Sequence, residues 1–313
     1  MPLDPQIAAI LNEMPAMPPV RSVPIATLRL GVNQATAAAP RLDVPLSRIT
    51  DSTIEGPGGP LPVRIYTPTG TAPFPLLVYF HGGGYVIGDL NIADAVCRAL
   101  AHRAECVVMS VDYRLAPEHP FPVPNEDAYA AVQWASRHAW EIGADPGRLA
   151  VGGDSAGANL SAAVTLRARD GGPKLRAQVL IYPSTGYPDP DSRSFQDYAD
   201  GPMLTADDSY FYWSQYLGDV ERNRANPDAC PSVAASHRGL PPAFIATAEC
   251  DLCRDNGEAY AAQLIADEVP AVLRRYAGMP HGFLTWVGHV ATADRAMDEI
   301  SAWLKQQLLP AAT

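Results

Sequence analysis

The sequence is poor in basic residues, and lysine is almost absent. Only Lys174 and Lys305 are lysines, and the 23 Lys and Arg residues are outnumbered by 34 Asp and Glu residues, which gives a net charge of −11. No run of basic residues occurs along the chain. Proteins that bind DNA, RNA or anionic lipid electrostatically present such runs. Nucleic acid is therefore not expected as a partner.

Long apolar runs are missing as well. The N-terminus lacks a basic start followed by an apolar core, and no apolar stretch reaches the roughly 20 residues that span a bilayer. We therefore expect no membrane span and a cytoplasmic location.

Cysteine is scarce, with five residues, an odd number without the density of a disulfide scaffold. Free thiols are the expected state. Cys250 and Cys253 form a C-x-x-C pair, but no second Cys or His pair at ligand spacing accompanies it. Two buried or half-buried thiols are therefore favoured over a redox or zinc role, and no metal is expected.

Short apolar segments alternate with helical patterns along most of the chain. Strands are predicted at Leu61–Tyr66, Leu76–Phe80, Cys106–Val111, Leu149–Gly152, Ala177–Ile181, Ala243–Ala248 and Val272–Tyr276. Helices are predicted at Ile92–Arg103, Glu126–His138, Ala156–Arg169, Ala206–Leu217, Gly257–Asp267 and Val290–Leu308. Such alternation predicts an α/β protein with a mostly parallel sheet flanked by helices.

Two regions stand outside this alternation. Residues 1–50 are expected to form N-terminal cap helices, and residues 184–224, rich in Pro, Asp and aromatic residues, a cap insertion. Residues 51–313 would form the catalytic body around one large core.

The most informative motif is Gly153-Asp154-Ser155-Ala156-Gly157, which follows the apolar run Leu149–Val151. A strand that leads directly into a helix must turn sharply, and glycines remove the Cβ atoms that would clash there. Ser155 would then project at the end of the sheet, near free N–H groups at the helix start. This position predicts a nucleophilic serine.

A second glycine-rich loop follows the predicted strand Leu76–Phe80. His81-Gly82-Gly83-Gly84 supplies a backbone free of Cβ atoms that can turn its N–H groups toward one point. The N–H groups of Gly83, Gly84 and Ala156 are the candidate donors to an oxyanion. His81 and Asp154 are expected to support this loop rather than to act as bases.

A nucleophilic serine needs a base, and in the fold that uses this turn the order along the chain is Ser, acid, His. His237, His281 and His289 follow Ser155, and His281 lies in the loop directly after the last predicted strand. Catalytic groups of open α/β sheets gather in such loops, so His281 is the predicted base.

The acid is sought just past the strand Ala243–Ala248, among Glu249, Asp251 and Asp255. Asp255 and Glu258 have the spacing of a helix N-cap with a returning Glu, which predicts a capping role for Asp255. Asp251 is then the preferred carboxylate, and Asp255 stays the alternative.

Assembled, these motifs resemble the hormone-sensitive-lipase-like branch of the α/β-hydrolases, the bacterial type IV carboxylesterases. The resemblance is carried by His81–Gly84, Asp112–Pro122, Gly153–Gly157, Glu249–Asp255 and His281–Phe283. It implies Ser155 as nucleophile, Asp251 as acid, His281 as base, and Gly83, Gly84 and Ala156 as oxyanion hole. In the family a Tyr usually precedes this Asp and Pro-Leu follows it; here Cys250, Leu252 and Cys253 stand there, which predicts altered packing or oxidation sensitivity.

The implied reaction is hydrolysis of short- to medium-chain acyl esters through an acyl-enzyme, without a cofactor. Small-metabolite amidase or deacetylase activity would use the same residues, and a ligand-binding receptor on this fold is the less favoured alternative because His281 is retained. A homodimer through the edge near Val272–Tyr276 is a further hypothesis. The pocket is expected to include Met14, Met17, Tyr85, Phe211, Leu252 and Phe283.

Overall fold

A computed structural model of the chain describes residues 2–15 and 18–310. Its centre is an eight-stranded sheet with the order β1-β2-β4-β3-β5-β6-β7-β8. The strands are β1 (Leu46–Gly56), β2 (Gly59–Pro68), β3 (Phe74–Phe80), β4 (Val107–Val111), β5 (Ala144–Asp154), β6 (Ala177–Ile181), β7 (Ala243–Cys250) and β8 (Ala271–Pro280). β2 pairs antiparallel with β1 and β4, and all other pairs are parallel. The predicted mostly parallel sheet is confirmed.

Helices cover both faces of the sheet. They are α1 (Pro5–Glu13), α2 (Ile25–Ala38), α3 (Asp94–Arg103), α4 (Val123–His138), α5 (Ala156–Arg169), α6 (Arg193–Asp197), α7 (Ala206–Leu217), α8 (Val220–Asn223), α9 (Arg254–Ala266) and α10 (Ala291–Gln307). In the described part of the chain no helix combines the length and apolarity needed to cross a bilayer.

The sequence of the central strand β3 is apolar throughout because both faces of the strand are covered. Leu77 and Tyr79 belong to a core shared with α3 and α10, whereas Leu76, Val78 and Phe80 belong to a core shared with α4 and α5. Successive side chains of a strand point to opposite faces, so a strand covered on both faces is apolar at every position.

Sequence reasoning missed β1, the edge strand. Its side chains are mostly exposed, and of its 11 residues only Ile54 is fully buried. A strand with so little burial carries too few apolar residues to be seen as a core segment. Because β1 begins at Leu46, the boundary drawn after residue 50 falls inside a strand of the sheet.

The N-terminal segment divides into two parts. α1 docks on the body, since Ile7 is fully buried in the core that includes α10, and the N–H of Asp4 donates to the carbonyl of Gly278 at 3.0 Å. The segment from Val20 to Ala38 instead approaches α7, where the N–H of Val20 donates to Asp208 Oδ1 at 3.2 Å. Only this second part lies beside the predicted cap insertion, which contains α6, α7 and α8.

Candidate active site

Ser155 is the single residue between β5 and α5. Its backbone has φ +53° and ψ −118°, a conformation that residues with a side chain rarely adopt. A Cβ atom built on Gly157 would lie 1.9 Å from the carbonyl oxygen of Phe80, and one on Gly153 would lie 2.5 Å from it. The two glycines therefore allow α5 to approach the end of β3, which fixes where Ser155 projects.

The structure brings Ser155, His281 and Asp251 together in one hydrogen-bonded chain. His281 Nε2 lies 2.8 Å from Ser155 Oγ, and His281 Nδ1 lies 2.8 Å from Asp251 Oδ2. The three residues follow β5, β8 and β7, at the carboxyl ends of three parallel strands. His289 is exposed and His237 is buried against the carbonyl of Pro231, so neither lies in this chain.

The surroundings of His281 favour its protonated form. Burial by itself lowers the pKa of His281, but the charge of Asp251, its hydrogen bond and the charge of Asp154 together outweigh burial and raise the pKa above its usual value. An imidazole with a raised pKa is a stronger base and stabilises the imidazolium that forms when it takes a proton from serine.

The carboxylate of Asp255 is used elsewhere. Asp255 Oδ2 accepts from the N–H of Ser194 at 2.7 Å, and Oδ1 pairs with Arg254. The capping role predicted for Asp255 is wrong, because α9 begins at Arg254 with Cys253 as its N-cap and Asp255 lies inside the first turn. The side chain of Glu258 contacts Thr247 and Arg275 rather than reaching back to the helix start.

His81 and Asp154 both contact the loop after β3. His81 Nδ1 lies 2.7 Å from the carbonyl of Gly82, and its ring stacks on Tyr113 at 4.4 Å between centroids. Burial lowers the pKa of His81, so the ring is neutral and its Nδ1–H donates. Asp154 Oδ1 accepts from the N–H of Gly82 at 3.0 Å and from Tyr79 Oη at 2.8 Å.

The three residues whose backbone N–H groups are the candidate oxyanion donors line the same cavity as Ser155 and His281. They are Gly83, Gly84 and Ala156. Among the described residues none of the three has a hydrogen-bond acceptor, and Ala156 is the first residue of α5, whose N–H cannot bond within the helix. Buried N–H groups are usually paired, so three free donors at one cavity fit an anion or a developing oxyanion.

The cavity has a volume of about 200 Å³. Its walls are mainly apolar side chains from the loop after β3, the start of α3 and the cap insertion, including α7. They include Tyr85, Ile87, Ile92, Val96, Met203, Leu204, Tyr212 and Trp213. No Lys or Arg belongs to the described lining.

Of the predicted pocket residues, Tyr85 lines this cavity and four others do not. Met14 ends α1 with 41% of its surface exposed, and Phe283 is fully buried in the core against Tyr182. Leu252 packs in a small separate cluster with Phe195. On α7 it is Tyr212 rather than Phe211 that faces the cavity, since adjacent helical residues point about 100° apart. Met17 lies outside the described residues.

A second cavity of about 280 Å³ adjoins the first. Ser184, Ser209 and Cys253 line both cavities, and the second is otherwise more polar, with Asp189, Ser192, Asp255 and Asn256 in its wall. The wall between the two cavities is therefore made of small side chains.

All five cysteines lie among the described residues, where they are buried and form no disulfide. The thiol of Cys253 lies within 4.8 Å of side-chain atoms of Asp251 and His281, and this trio is the one group at metal-ligand spacing within residues 2–15 and 18–310. Burial, together with the charge of Asp251, raises the pKa of Cys253 well above its usual value. A thiol with a raised pKa forms little thiolate, which argues against ready oxidation.

The geometry agrees with what comparison of the whole chain shows. A family model described as alpha/beta hydrolase fold matches residues 77–285, which is more than half of the chain. The chain belongs to the α/β-hydrolase family. The carboxylic ester hydrolase LipN of Mycobacterium tuberculosis is 48% identical over 242 residues, which cover 75% of this chain and 64% of LipN. The matched part thus spans less than two thirds of that relative.

Two proteins named as esterases match over nearly their full lengths. Esterase LipI of Mycobacterium tuberculosis is 39% identical over 306 residues, which cover 93% of this chain and 95% of LipI. A solved structure of a hyperthermophilic esterase from the archaeon Pyrobaculum calidifontis is 38% identical, has a TM-score of 0.90 and covers 98% of this chain and 99% of its own. The resemblance to the hormone-sensitive-lipase-like branch is thereby confirmed.

Proposed function

We propose that this protein is a serine carboxylesterase in which Ser155 is the nucleophile, His281 the general base and Asp251 the acid. The observation that carries the proposal is the continuous Ser–His–Asp hydrogen-bond chain with both distances at 2.8 Å. Two independent comparisons support the activity, because LipN and LipI are both named as esterases and the similar solved structure is an esterase.

The mechanism follows from these contacts. Ser155 Oγ attacks the ester carbonyl while His281 Nε2 takes its proton, and Asp251 holds His281 by the Nδ1–H and stabilises the imidazolium. The N–H groups of Gly83, Gly84 and Ala156 receive the negative oxygen of the tetrahedral intermediate. His281 then protonates the leaving alcohol, and a water molecule releases the acid from Ser155 by the same steps.

The cavity supports small, uncharged substrates. Its volume of about 200 Å³ is below the roughly 300–1,000 Å³ of sites for drug-sized ligands, and its walls are mainly apolar. No Lys or Arg among the described lining residues offers a permanent positive charge to a carboxylate or phosphate. Short- to medium-chain acyl esters of neutral alcohols are the class that fits.

The first experiment is hydrolysis of p-nitrophenyl esters from acetate to palmitate by wild type and Ser155→Ala, with intact-mass detection of a phosphonate adduct. We expect turnover of the short esters and one adduct on wild type, and neither on Ser155→Ala. A folded wild type without turnover or adduct would refute the esterase and favour the ligand-binding alternative. Amides with matched acyl groups separate esterase from amidase activity.

Two further proposals concern the cellular location and the oligomeric state of the protein. Five buried cysteines without a disulfide among the described residues support a reducing compartment such as the cytoplasm, which cell fractionation tests. β8 is the last strand in the sheet order, so its open edge is available for pairing with the β8 of a second copy. A monomeric mass by light scattering at micromolar concentration would exclude this homodimer.

A further inference from the structure

Arg29 of α2 connects the N-terminal segment to the loop that carries two of the proposed oxyanion donors. Its guanidinium makes hydrogen bonds to three different residues. Nε donates to the carbonyl of Val86 at 2.8 Å, Nη2 to the carbonyl of Ala116 at 2.9 Å, and Nη1 and Nη2 to the carboxylate of Glu118 at 2.9 and 2.7 Å. One side chain therefore donates hydrogen bonds to backbone carbonyls on two separate loops of the body.

The loop that Arg29 contacts has an unfavourable backbone. Four of its residues have positive φ, namely Gly83 (+114°), Gly84 (+60°), Tyr85 (+63°) and Gly88 (+100°). Three of the four are glycines, which adopt positive φ easily, but Tyr85 has a bulky side chain and its backbone is therefore strained. Such a conformation persists only when surrounding contacts hold it.

The middle of this loop is held by ring packing and by two backbone carbonyls. The ring of Tyr85 stacks on Tyr216 at 3.7 Å between centroids. The carbonyl of Gly83 is used inside the loop, by the N–H groups of Val86 and Ile87. The carbonyl of Tyr85 accepts from the N–H of Ala116 at 2.9 Å, and the carbonyl of Val86 accepts from Arg29. Arg29 also binds the carbonyl of Ala116, so this one side chain contacts a residue at each of the two backbone attachments of the loop's middle.

We propose that Arg29 is a positioning residue for the esterase reaction: by clamping Val86 and Ala116 it holds the Gly83 and Gly84 N–H groups in the direction of the oxyanion. The inference rests on the proposed function. Its physical basis is preorganisation, because donors that are already aimed need no rearrangement when negative charge develops. A loosened loop weakens binding of the transition state more than binding of the neutral ester, so the loss falls on kcat rather than on KM.

The test compares Arg29→Met with two control variants. Methionine keeps the helix propensity and much of the length of the side chain but removes all its donors. Glu118→Gln removes the carboxylate partner and leaves both carbonyl contacts of Arg29 in place. Arg21→Met removes another arginine of the N-terminal segment, one that pairs with Asp207 of α7 rather than with the loop. Circular dichroism and thermal melting show which variants are folded.

We expect Arg29→Met to lower kcat for p-nitrophenyl acetate roughly tenfold to a hundredfold, less than the roughly 10²- to 10³-fold loss when a whole oxyanion donor is removed. KM should stay within about twofold. Affinity for a trifluoromethyl ketone, whose adduct carries the oxyanion, should fall in parallel with kcat/KM. Both control variants should keep kcat near wild type.

Unchanged kcat in folded Arg29→Met, or a raised KM with unchanged kcat, would overturn the inference while leaving the esterase in place. An equal loss of kcat in Glu118→Gln would also overturn it, since the ion pair and not the carbonyl clamp would then matter. If Arg29→Met does not fold, Arg29→Lys decides, because lysine keeps the charge but cannot reach both carbonyls in a fork; wild-type kcat in that variant refutes the clamp. If wild type itself is inert and unlabelled by phosphonate, the proposed function fails and the inference falls with it.

Discussion

Substitution of Gly157 by alanine should damage both stability and catalysis, because the added methyl group meets backbone rather than a movable side chain. Its Cβ would lie 1.9 Å from the oxygen and 2.5 Å from the carbon of the Phe80 carbonyl, and 2.6 Å from the oxygen of His81. Contacts under 3.0 Å are essentially never made by real Cβ atoms, so α5 and the end of β3 must separate by about 1 Å.

The magnitude follows from where that separation falls. Forcing an extra methyl group into a packed site costs about 1–3 kcal/mol, and the upper end applies here because both neighbours are backbone. The displaced segment begins the loop that carries Gly83 and Gly84, and a misplacement of about 1 Å at reacting groups can cost roughly 10² in rate. We therefore expect a loss of about 3 kcal/mol in stability and roughly a hundredfold lower kcat/KM.

The assay is urea denaturation followed by circular dichroism, together with kcat/KM for p-nitrophenyl acetate. Gly31→Ala is the matched control: Gly31 is an exposed residue inside α2, and a Cβ there has nothing within 4 Å. That variant should gain about 0.5–1 kcal/mol and keep wild-type activity. A Gly157→Ala protein with the wild-type denaturation midpoint and kcat/KM would refute the close-approach explanation of the motif.

Three further predictions concern the cavity and its acid. The base His281 must be neutral to act, so kcat/KM should fall as the pH drops through its raised pKa. Asp251→Asn should lower the pKa of His281, shift this fall to lower pH and reduce the rate roughly 10⁴-fold. An unchanged pH profile in Asp251→Asn would contradict the role of Asp251. Ser209 lines both cavities, so Ser209→Phe should narrow the first cavity where it borders the second. Activity on octanoate, whose acyl chain needs more room, should therefore drop more than activity on acetate; an equal drop would show that the acyl chain does not reach Ser209. The raised pKa of Cys253 predicts slow alkylation by iodoacetamide at pH 8, and rapid inactivation that Cys253→Ala prevents would contradict it.

The sequence predicted the parts of the site that local signals determine. Gly153 and Gly157 mark the turn, so the end of β5, the start of α5 and the position of Ser155 follow directly. Chain order and a place just after a predicted strand single out His281, whereas for the acid they leave Glu249, Asp251 and Asp255, among which the capping argument and the family resemblance favour Asp251. Because parallel strands end at the same edge of the sheet, three such local signals are enough to bring the side chains together.

The pocket was harder to predict because its walls depend on side-chain direction and on long-range packing. Phe211 and Tyr212 have equal claims from composition, and only the docking of α7 decides that Tyr212 meets Gly84. Phe283 follows directly after the motif residues but turns into the core. Arg29 carries no local signal either, since its partners lie 57 to 89 positions away along the chain.

Asp251 is the carboxylate that meets His281, although Asp255 does not have the capping role on which the sequence-based preference for Asp251 depended. The D-x-x-E spacing is that of an N-cap with a returning Glu, but the N-cap is Cys253, two residues before Asp255, so Asp255 lies in the first turn. The two carboxylates differ in their distance along the chain from the end of β7. Asp251 follows β7 directly and contacts His281, whereas Asp255 lies in the first turn of α9 and contacts Ser194.

The two halves of the proposed catalytic machinery are held in different ways. Ser155, Asp251 and His281 sit at the ends of parallel strands whose backbones are paired within the sheet, so their mutual geometry depends on the core. Of the oxyanion donors, Ala156 belongs to the rigid start of α5, but Gly83 and Gly84 lie on a strained loop whose middle is attached through Ala116 and Arg29. Loss of core packing should therefore lower stability first, whereas loosening of the segment from Val20 to Ala38 should lower kcat while the triad stays assembled. On this proposal the N-terminal segment contributes to catalysis by positioning the loop through Arg29, although none of its described residues lines the catalytic cavity.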